Sequence, residues 1–162
     1  MIVLGIDPGL ERIGYGVIRR EGSRLIPLDY GLITTPRIAL HDRLRLIHEE
    51  MCALVDRTQP DELATEKLLF SVNVKTAMDV SKALGVVLLV GSQRGLPWSE
   101  YTPPAIKLAV VGNGAAEKKQ VQYMVTKLLG LKETPKPDDV ADALAIAICH
   151  GMRCRALAGP GS

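Results

Sequence analysis

The sequence predicts one α/β domain with a mixed five-stranded sheet flanked by helices. Three apolar runs near the start, separated by turn residues, are typical of strands, and the segments that follow alternate between helix-like and strand-like spacing. The 162 residues, 47% hydrophobic and 23% charged, suffice for a continuous core and exclude a disordered chain, a collagen-like repeat and a disulfide scaffold. We expect one domain over residues 1–154 and a short flexible tail over residues 155–162.

The first three strands are predicted to form an antiparallel meander. Residues 2–6 are an apolar run that ends in Asp-Pro-Gly, which is a turn signal. Residues 13–18 are rich in β-forming residues and glycine, and residues 25–35 provide the third strand. Because the intervening turns are short, neighbouring strands would run in opposite directions.

The rest of the chain alternates helices with two further strands. Apolar residues three and four apart predict an amphipathic helix over residues 40–56, which Pro60 ends. A fourth strand over residues 62–66 precedes a second helix over residues 72–92, and a fifth strand covers residues 96–101. Three more helices are predicted, at about residues 103–110, 115–129 and 138–153.

Several features argue against a membrane or secreted protein. The longest apolar stretch, residues 84–91, is far too short to span a bilayer, and Asp7 follows the first apolar run too soon for a signal peptide. The cysteines Cys52, Cys149 and Cys154 form no C-x-x-C pair and are odd in number. They indicate buried or free thiols, so we expect a cytoplasmic protein with no membrane partner.

Charge is unevenly distributed although the net charge is only +2. Residues 101–137 carry just two acidic side chains, Glu117 and Glu133, against six lysines: Lys107, Lys118, Lys119, Lys127, Lys132 and Lys136. A lysine-rich block beside an acidic turn would suit phosphate binding next to a metal site, and a solvated helix face is the alternative.

Four acidic residues stand out by their positions. Asp7 and Glu66 each end an apolar strand, and Asp139 and Asp142, three apart on a helix, share one face. If both strands end beside that helix, the four carboxylates come together, which is costly unless cations screen them. Hard divalent ions such as Mg²⁺ or Mn²⁺ prefer oxygen ligands, and no histidine accompanies these acids, so zinc is disfavoured.

Most of the acidic residues in these segments also have a simpler explanation. Asp138, Asp139 and Asp142 could cap a helix, and Asp7 could be a turn residue. Glu66, at the end of a buried strand, is harder to explain in this way. Four separate explanations are less economical than one metal site, which we therefore favour.

Five motifs follow one another in a distinctive order. They are GIDPG at 5–9, GYGV at 14–17, Glu66, GNGAAEK at 112–118 and DVADALAIA at 139–147. Each motif is weak alone, but the ordered set resembles the RuvC Holliday junction resolvases of bacteria, from residue 2 to about 150. The resemblance implies an RNase H-like fold, a homodimer and Mg²⁺-dependent phosphodiester hydrolysis, with Mn²⁺ able to substitute and two ions per site. It also implies paired symmetric nicks across four-way DNA junctions in homologous recombination and DNA repair, with RuvA and RuvB as partners.

The same resemblance assigns roles to individual residues. The catalytic and metal-binding set is Asp7, Glu66, Asp139 and Asp142, with Asp7 expected to bridge the two ions. The spacing to Asp142 favours Asp139 over the neighbouring Asp138. The resemblance places family lysines at Lys107 and Lys118 and a base-stacking position at Leu69 or Phe70, and the position of Lys119 at the start of a helix adds a third lysine. The expected DNA-binding set is therefore Lys107, Lys118, Lys119, Leu69, Phe70 and Asn73.

Some assignments stay open at this point. Either Leu69 or Phe70 could stack on junction bases, and Phe70 could equally be a packing residue. Ala77, Ala83, Gly85 and Val87 would allow the helix over residues 72–92 to approach a second copy, but burial within one chain explains them as well.

Three other functions compete with junction cleavage. The segment around Asp7 also resembles the first phosphate loop of actin-like ATPases, but those need a second domain and a second glycine-rich loop, for which 162 residues leave no room. A non-catalytic junction-binding module would have no need of four carboxylates. A sister RNase H-like nuclease acting on RNA would differ in its substrate, which can be tested directly.

Overall fold

The computed structural model describes residues 1–69 and 74–157, and side chains through residue 153. The described residues form five strands and five helices. The strands are β1 (Ile2–Asp7), β2 (Arg12–Glu21), β3 (Arg24–Thr34), β4 (Glu62–Glu66) and β5 (Trp98–Tyr101), and the helices are α1 (Leu40–Thr58), α2 (Val74–Gln93), α3 (Pro103–Val111), α4 (Lys118–Leu128) and α5 (Asp138–Leu157).

The strands make one mixed sheet in the order β3-β2-β1-β4-β5. β1, β2 and β3 pair antiparallel, whereas β4 and β5 run parallel to β1. The predicted α/β class, the five-stranded mixed sheet and the antiparallel meander are therefore confirmed. Since β1 and β4 are adjacent and parallel, their last residues, Asp7 and Glu66, lie at the same edge of the sheet.

Each face of the sheet is covered by its own hydrophobic cluster. On one face, residues of α1 and α2, such as Met51 and Val87, pack with Leu4 and Ile6 of β1. On the other face, α3, α4 and α5 pack together, and Leu144 of α5 is fully buried. The sheet is thus a central layer with helices on both sides.

Glycines in β1 and β2 let α5 lie directly against the sheet. A Cβ atom on Gly5 would lie 2.3 Å from the carbonyl oxygen of Ala143, and one on Gly14 would lie 1.9 Å from that of Asp139. Both contacts would be with backbone atoms of α5, which cannot move away through a change of side-chain rotamer. Gly14 pairs with Asp7 in the sheet, so the first turn of α5 is held next to the end of β1.

Element boundaries differ from the predictions for local reasons. β5 begins at Trp98 instead of residue 96 because the Leu96 N–H donates to the Gly91 carbonyl, in the turn that ends α2. α4 begins at Lys118 instead of 115 because the Asn113 side chain accepts the Ala115 N–H at 2.9 Å.

α5 continues to Leu157, beyond the predicted end at 153. The first two residues of the predicted helix 72–92 lie outside the described part of the chain. The division into a domain over 1–154 and a tail over 155–162 stays a prediction. Within the described ranges, none of the helices combines the length and the apolar character needed to cross a membrane.

Candidate active site

The edge of the sheet where β1 and β4 end carries two carboxylates. Asp7 follows four fully or nearly fully buried residues of β1, and Glu66 follows three buried residues of β4. Both side chains are half-buried, and burying a carboxylate costs free energy unless a positive charge compensates it.

α5 adds two more carboxylates to this edge. Asp139 and Asp142 are half-buried on the side of the helix that meets the sheet, while Val140 and Ala141 pack into the core. Their position depends on Gly14, because only a residue without a side chain lets the helix backbone at Asp139 approach β2 so closely.

The electrostatics of Asp7 reflect this crowding. Burial, together with the carboxylates of Asp142, Glu66 and Asp139, raises the pKa of Asp7 to about 8. Burial likewise raises the pKa of Glu66, with a further contribution from Asp142. Burial also raises the pKa of Asp142, against the opposing effect of Lys118. The four carboxylates therefore repel one another at this edge, and the nearby lysines do not fully compensate their negative charge.

Two lysines face the carboxylates. A cleft of about 260 Å³ is lined by Glu66, Lys107, Lys118 and Asp142 together with apolar residues of α3, α4 and α5. The Lys118 ammonium lies 3.0 Å from Asp138 Oδ2 and 3.4 Å from Asp142 Oδ2. Partial burial lowers the pKa of Lys118, but these two carboxylates outweigh it and the net shift is upward.

The start of α4 determines where Lys118 lies. The backbone N–H of Glu117 donates to Oε1 of Gln120 at 2.8 Å, which completes the first turn of the helix. Lys118, the first residue of α4, is thereby directed towards α5. Lys119, the next residue, is exposed and does not line the cleft.

Two charged contacts at this edge were not expected from the sequence. Arg12 Nε lies 3.3 Å from Asp139 Oδ2, and exposed Asp138 pairs with Lys118 and accepts a hydrogen bond from Gln122 at 3.1 Å. Both bring together residues distant in the chain, so spacing gave no signal for them. The pairing leaves Asp138 with a pKa lowered by Lys118 and places it outside the buried group, which favours Asp139 as the inner carboxylate.

The four carboxylates suit a hard divalent cation, although they do not form a preformed metal site. No three acidic, histidine or cysteine side chains in the described ranges converge closely enough to hold an ion as they stand. Instead, Asp142 is directed to Lys118, and Asp139 is directed to Arg12. Asp139 Oδ2 is buried, and although Arg12 Nε lies 3.3 Å away it receives no hydrogen bond from the described residues. The groups available to a metal at this edge are carboxylates, whose oxygens Mg²⁺ and Mn²⁺ prefer as ligands.

The remaining predicted DNA-binding residues lie before α2. Leu69 is 56% exposed at the end of the described range, which suits a contact with a partner. Phe70 and Asn73 lie outside the described residues.

Comparison with known proteins identifies the family. The family model described as "Crossover junction endodeoxyribonuclease RuvC" matches residues 3–150. A protein of that name from Halothermothrix orenii is 53% identical over 156 residues, covering 96% of this chain and 94% of the relative. One from Desulfitobacterium hafniense is 52% identical over 151 residues, covering 93% and 92%.

A solved structure agrees with this assignment. Thermus thermophilus RuvC in complex with a Holliday junction substrate superposes with a TM-score of 0.91 at 36% identity, covering 96% of each chain. The RNase H-like fold that the motifs implied is thereby confirmed. The order of motifs, the fold and the acidic sheet edge agree, and the chain belongs to the RuvC family of crossover junction endodeoxyribonucleases.

Proposed function

We propose that this chain is an endonuclease that resolves four-way DNA junctions by paired symmetric nicks. The observation that carries the proposal is the half-buried Asp7 carboxyl with its raised pKa, which lies at a sheet edge with three further carboxylates beside Lys107 and Lys118. The family membership supports the same activity, because its relatives are named crossover junction endodeoxyribonucleases.

The acidic residues would hold the catalytic metal. Asp7, Glu66, Asp139 and Asp142 would bind two Mg²⁺ ions, or Mn²⁺ in their place, with Asp7 shared between them. When bound, such ions supply an activated water and neutralise charge on the leaving oxygen. Asp7 must give up its proton to serve as a ligand, and its raised pKa means that it does so more readily as pH increases.

The lysines of the cleft would hold the DNA backbone. Lys118 is paired with Asp138 and Asp142 in the structure, so it can exchange these partners for a phosphate. Lys107 lines the same cleft from α3. Contacts of this kind position the strand without reading its sequence.

Neutralising these lysines is expected to weaken junction binding and cleavage while the chain stays folded. Lys107→Ala and Lys118→Ala should each reduce the slope of log affinity against log salt by about one, because each removes one phosphate contact. Binding titrations at several salt concentrations measure that slope, and circular dichroism checks the fold. An unchanged slope together with unchanged cleavage in both variants would remove the cleft lysines from the DNA interface.

A symmetric substrate calls for two active sites, and α2 offers a surface for dimerisation. Val74, Met78 and Leu89 are 67%, 52% and 52% exposed, and with Gly85, which has open space around it, they follow one face of the helix. This face differs in part from the one the sequence suggested. Ala83 and Val87 are fully buried in the cluster that α2 shares with α1, so they are not available to a second copy.

Leu89→Glu is expected to convert the dimer to a monomer without unfolding the chain, because the substitution places a charge on the exposed apolar face of α2 described above. Sedimentation velocity measures the change. Leu108→Glu is the matched control, since Leu108 is 57% exposed on α3, across the sheet from α2. A wild-type monomer, or a Leu89→Glu dimer as stable as the wild type, would contradict dimerisation through this face.

Cleavage of a mobile four-way junction tests the proposed function. We expect nicks on two opposite strands in the presence of Mg²⁺ or Mn²⁺ and none in EDTA, with a linear duplex of the same sequence left intact. Binding without cleavage would favour a non-catalytic junction-binding module. Preferential cleavage of an RNA–DNA hybrid would favour the sister nuclease.

The biological setting belongs to the same proposal. As a junction resolvase, the protein would act in homologous recombination and DNA repair in the cytoplasm, with RuvA and RuvB acting on the same junction. Co-migration of the chain with a junction bound by RuvA and RuvB would test that association.

A further inference from the structure

A groove between α3 and α4 lies beside the active-site cleft. This α3–α4 groove, about 350 Å³ in volume, is lined by Val111, Lys119, Gln120, Tyr123 and Met124. Tyr123 is 59% exposed although it is large and partly apolar. The groove therefore presents an aromatic side chain to a partner outside the chain.

The charge of the groove is positive and uncompensated. Lys119 is exposed, and the Lys127 ammonium lies 5.5 Å from the centre of the Tyr123 ring. Within the described residues no carboxylate pairs with either lysine, whereas the exposed Arg45 is paired with Glu49 at 2.8 Å. None of the residues lining the groove is acidic. The groove is therefore complementary to a polyanion.

Both helices connect the groove with the active-site cleft. α3 contributes Lys107 to the cleft and Val111, one turn later, to the groove. α4 contributes Lys118 to the cleft and the adjacent Lys119 to the groove. A strand held at the cleft therefore has a basic surface along its onward course.

The spacing of the lysines suits a DNA strand. Lys119 and Lys127 are eight residues apart on α4, which corresponds to about 12 Å of helix rise. That length is about the rise of three to four nucleotides along one strand of a duplex. Tyr123, midway between them on the same face, is placed to pack on the intervening sugar.

We propose that the α3–α4 groove is a second DNA-binding surface, which holds the backbone of the junction arm next to the cut site through Lys119, Tyr123 and Lys127. The proposal rests on the proposed function, since it concerns the onward course of the same substrate. It extends the contact from the scissile phosphate to the phosphates that follow it.

The double variant Lys119→Gln/Lys127→Gln tests the proposal. In EDTA, which prevents cleavage, its affinity for a four-way junction should fall about tenfold at physiological salt, and its salt slope should fall by about two. Tyr123→Ala should weaken binding with little change in slope, because it removes no charge. Arg45→Gln, on the opposite layer of the structure, should leave both quantities unchanged.

Junctions with uncharged phosphate analogues at chosen positions show which phosphates contact the α3–α4 groove. Junctions with methylphosphonates two to four nucleotides from the cut should bind the wild type more weakly and remove the difference between the wild type and the double variant. An unchanged salt slope in the double variant, or a difference that persists on the neutral backbone, would overturn the proposal. Cleavage by the wild type is measured in parallel, so its absence would count against the proposed function and not against the groove.

Discussion

Asp7→Asn is expected to raise the melting temperature of the metal-free protein at pH 8 and to abolish junction cleavage. Asp7 is half-buried near three other carboxylates, and its pKa is raised from 3.8 to about 8. Asparagine has nearly the same shape but no charge, so it relieves both the burial of a charge and the repulsion. Cleavage should disappear because the amide lacks the anionic oxygen that a shared metal ligand needs.

The pH dependence of this stabilisation has a definite sign. Below about pH 4, Asp7 is protonated in both the folded and the unfolded chain, and its titration does not affect stability. Between that pH and about 8, only the folded chain keeps the proton, so the free energy of unfolding decreases as pH rises. The maximum decrease is about 1.4 kcal/mol per pH unit.

Thermal melts in EDTA from pH 5 to pH 8.5 measure this effect. The melting temperature of Asp7→Asn relative to the wild type should increase steadily over this range and reach several degrees at the upper end. Asp56→Asn serves as the control, because Arg94 lowers the pKa of exposed Asp56 and its removal should give no such increase. A difference between Asp7→Asn and wild type that stays constant with pH would refute the raised pKa of Asp7.

Gly14→Ala is expected to destabilise the protein and to eliminate cleavage through the position of α5. The new Cβ would lie 1.9 Å from the Asp139 carbonyl oxygen and 2.5 Å from its carbon, so the helix or the strand must move. Overpacking of this kind costs about 1–3 kcal/mol, and here the movement also displaces Asp139 and Asp142.

Gly151→Ala is a matched control within α5 itself. Its Cβ would meet Ile18 and Leu25 at 3.5 and 3.6 Å, which are ordinary contacts, and alanine favours a helix interior. We expect Gly151→Ala to be neutral or slightly stabilising in denaturant unfolding and to cleave normally. A folded Gly14→Ala protein with wild-type cleavage would show that α5 need not approach β2 so closely.

Much of the fold followed from local patterns. The apolar runs that end at Asp7 and Glu66 predicted two strands, and the three-residue spacing of Asp139 and Asp142 predicted that both acids share one helix face. Apolar spacing predicted the helices over residues 40–56 and 72–92, because α1 and α2 each bury one face in the cluster that they share with the sheet.

The contacts between distant elements could not be predicted in the same way. Arg12 reaches Asp139 only because Gly14 admits α5, and Lys118 reaches Asp138 only because α4 packs beside α5. The buried side of α2 was also ambiguous, since small apolar residues suit either a partner helix or α1. Each of these depends on tertiary packing, which spacing along one chain does not encode.

Metal binding by the four carboxylates is the central claim, and a melting-temperature titration with Mg²⁺ and Mn²⁺ tests it most directly. A ligand at one hundred times its dissociation constant stabilises a protein by about 2.7 kcal/mol. The wild type should therefore melt several degrees higher in saturating metal, while Asp7→Asn and Asp142→Asn should gain little or nothing. Equal stabilisation of all three proteins, or none of the wild type, would contradict the account.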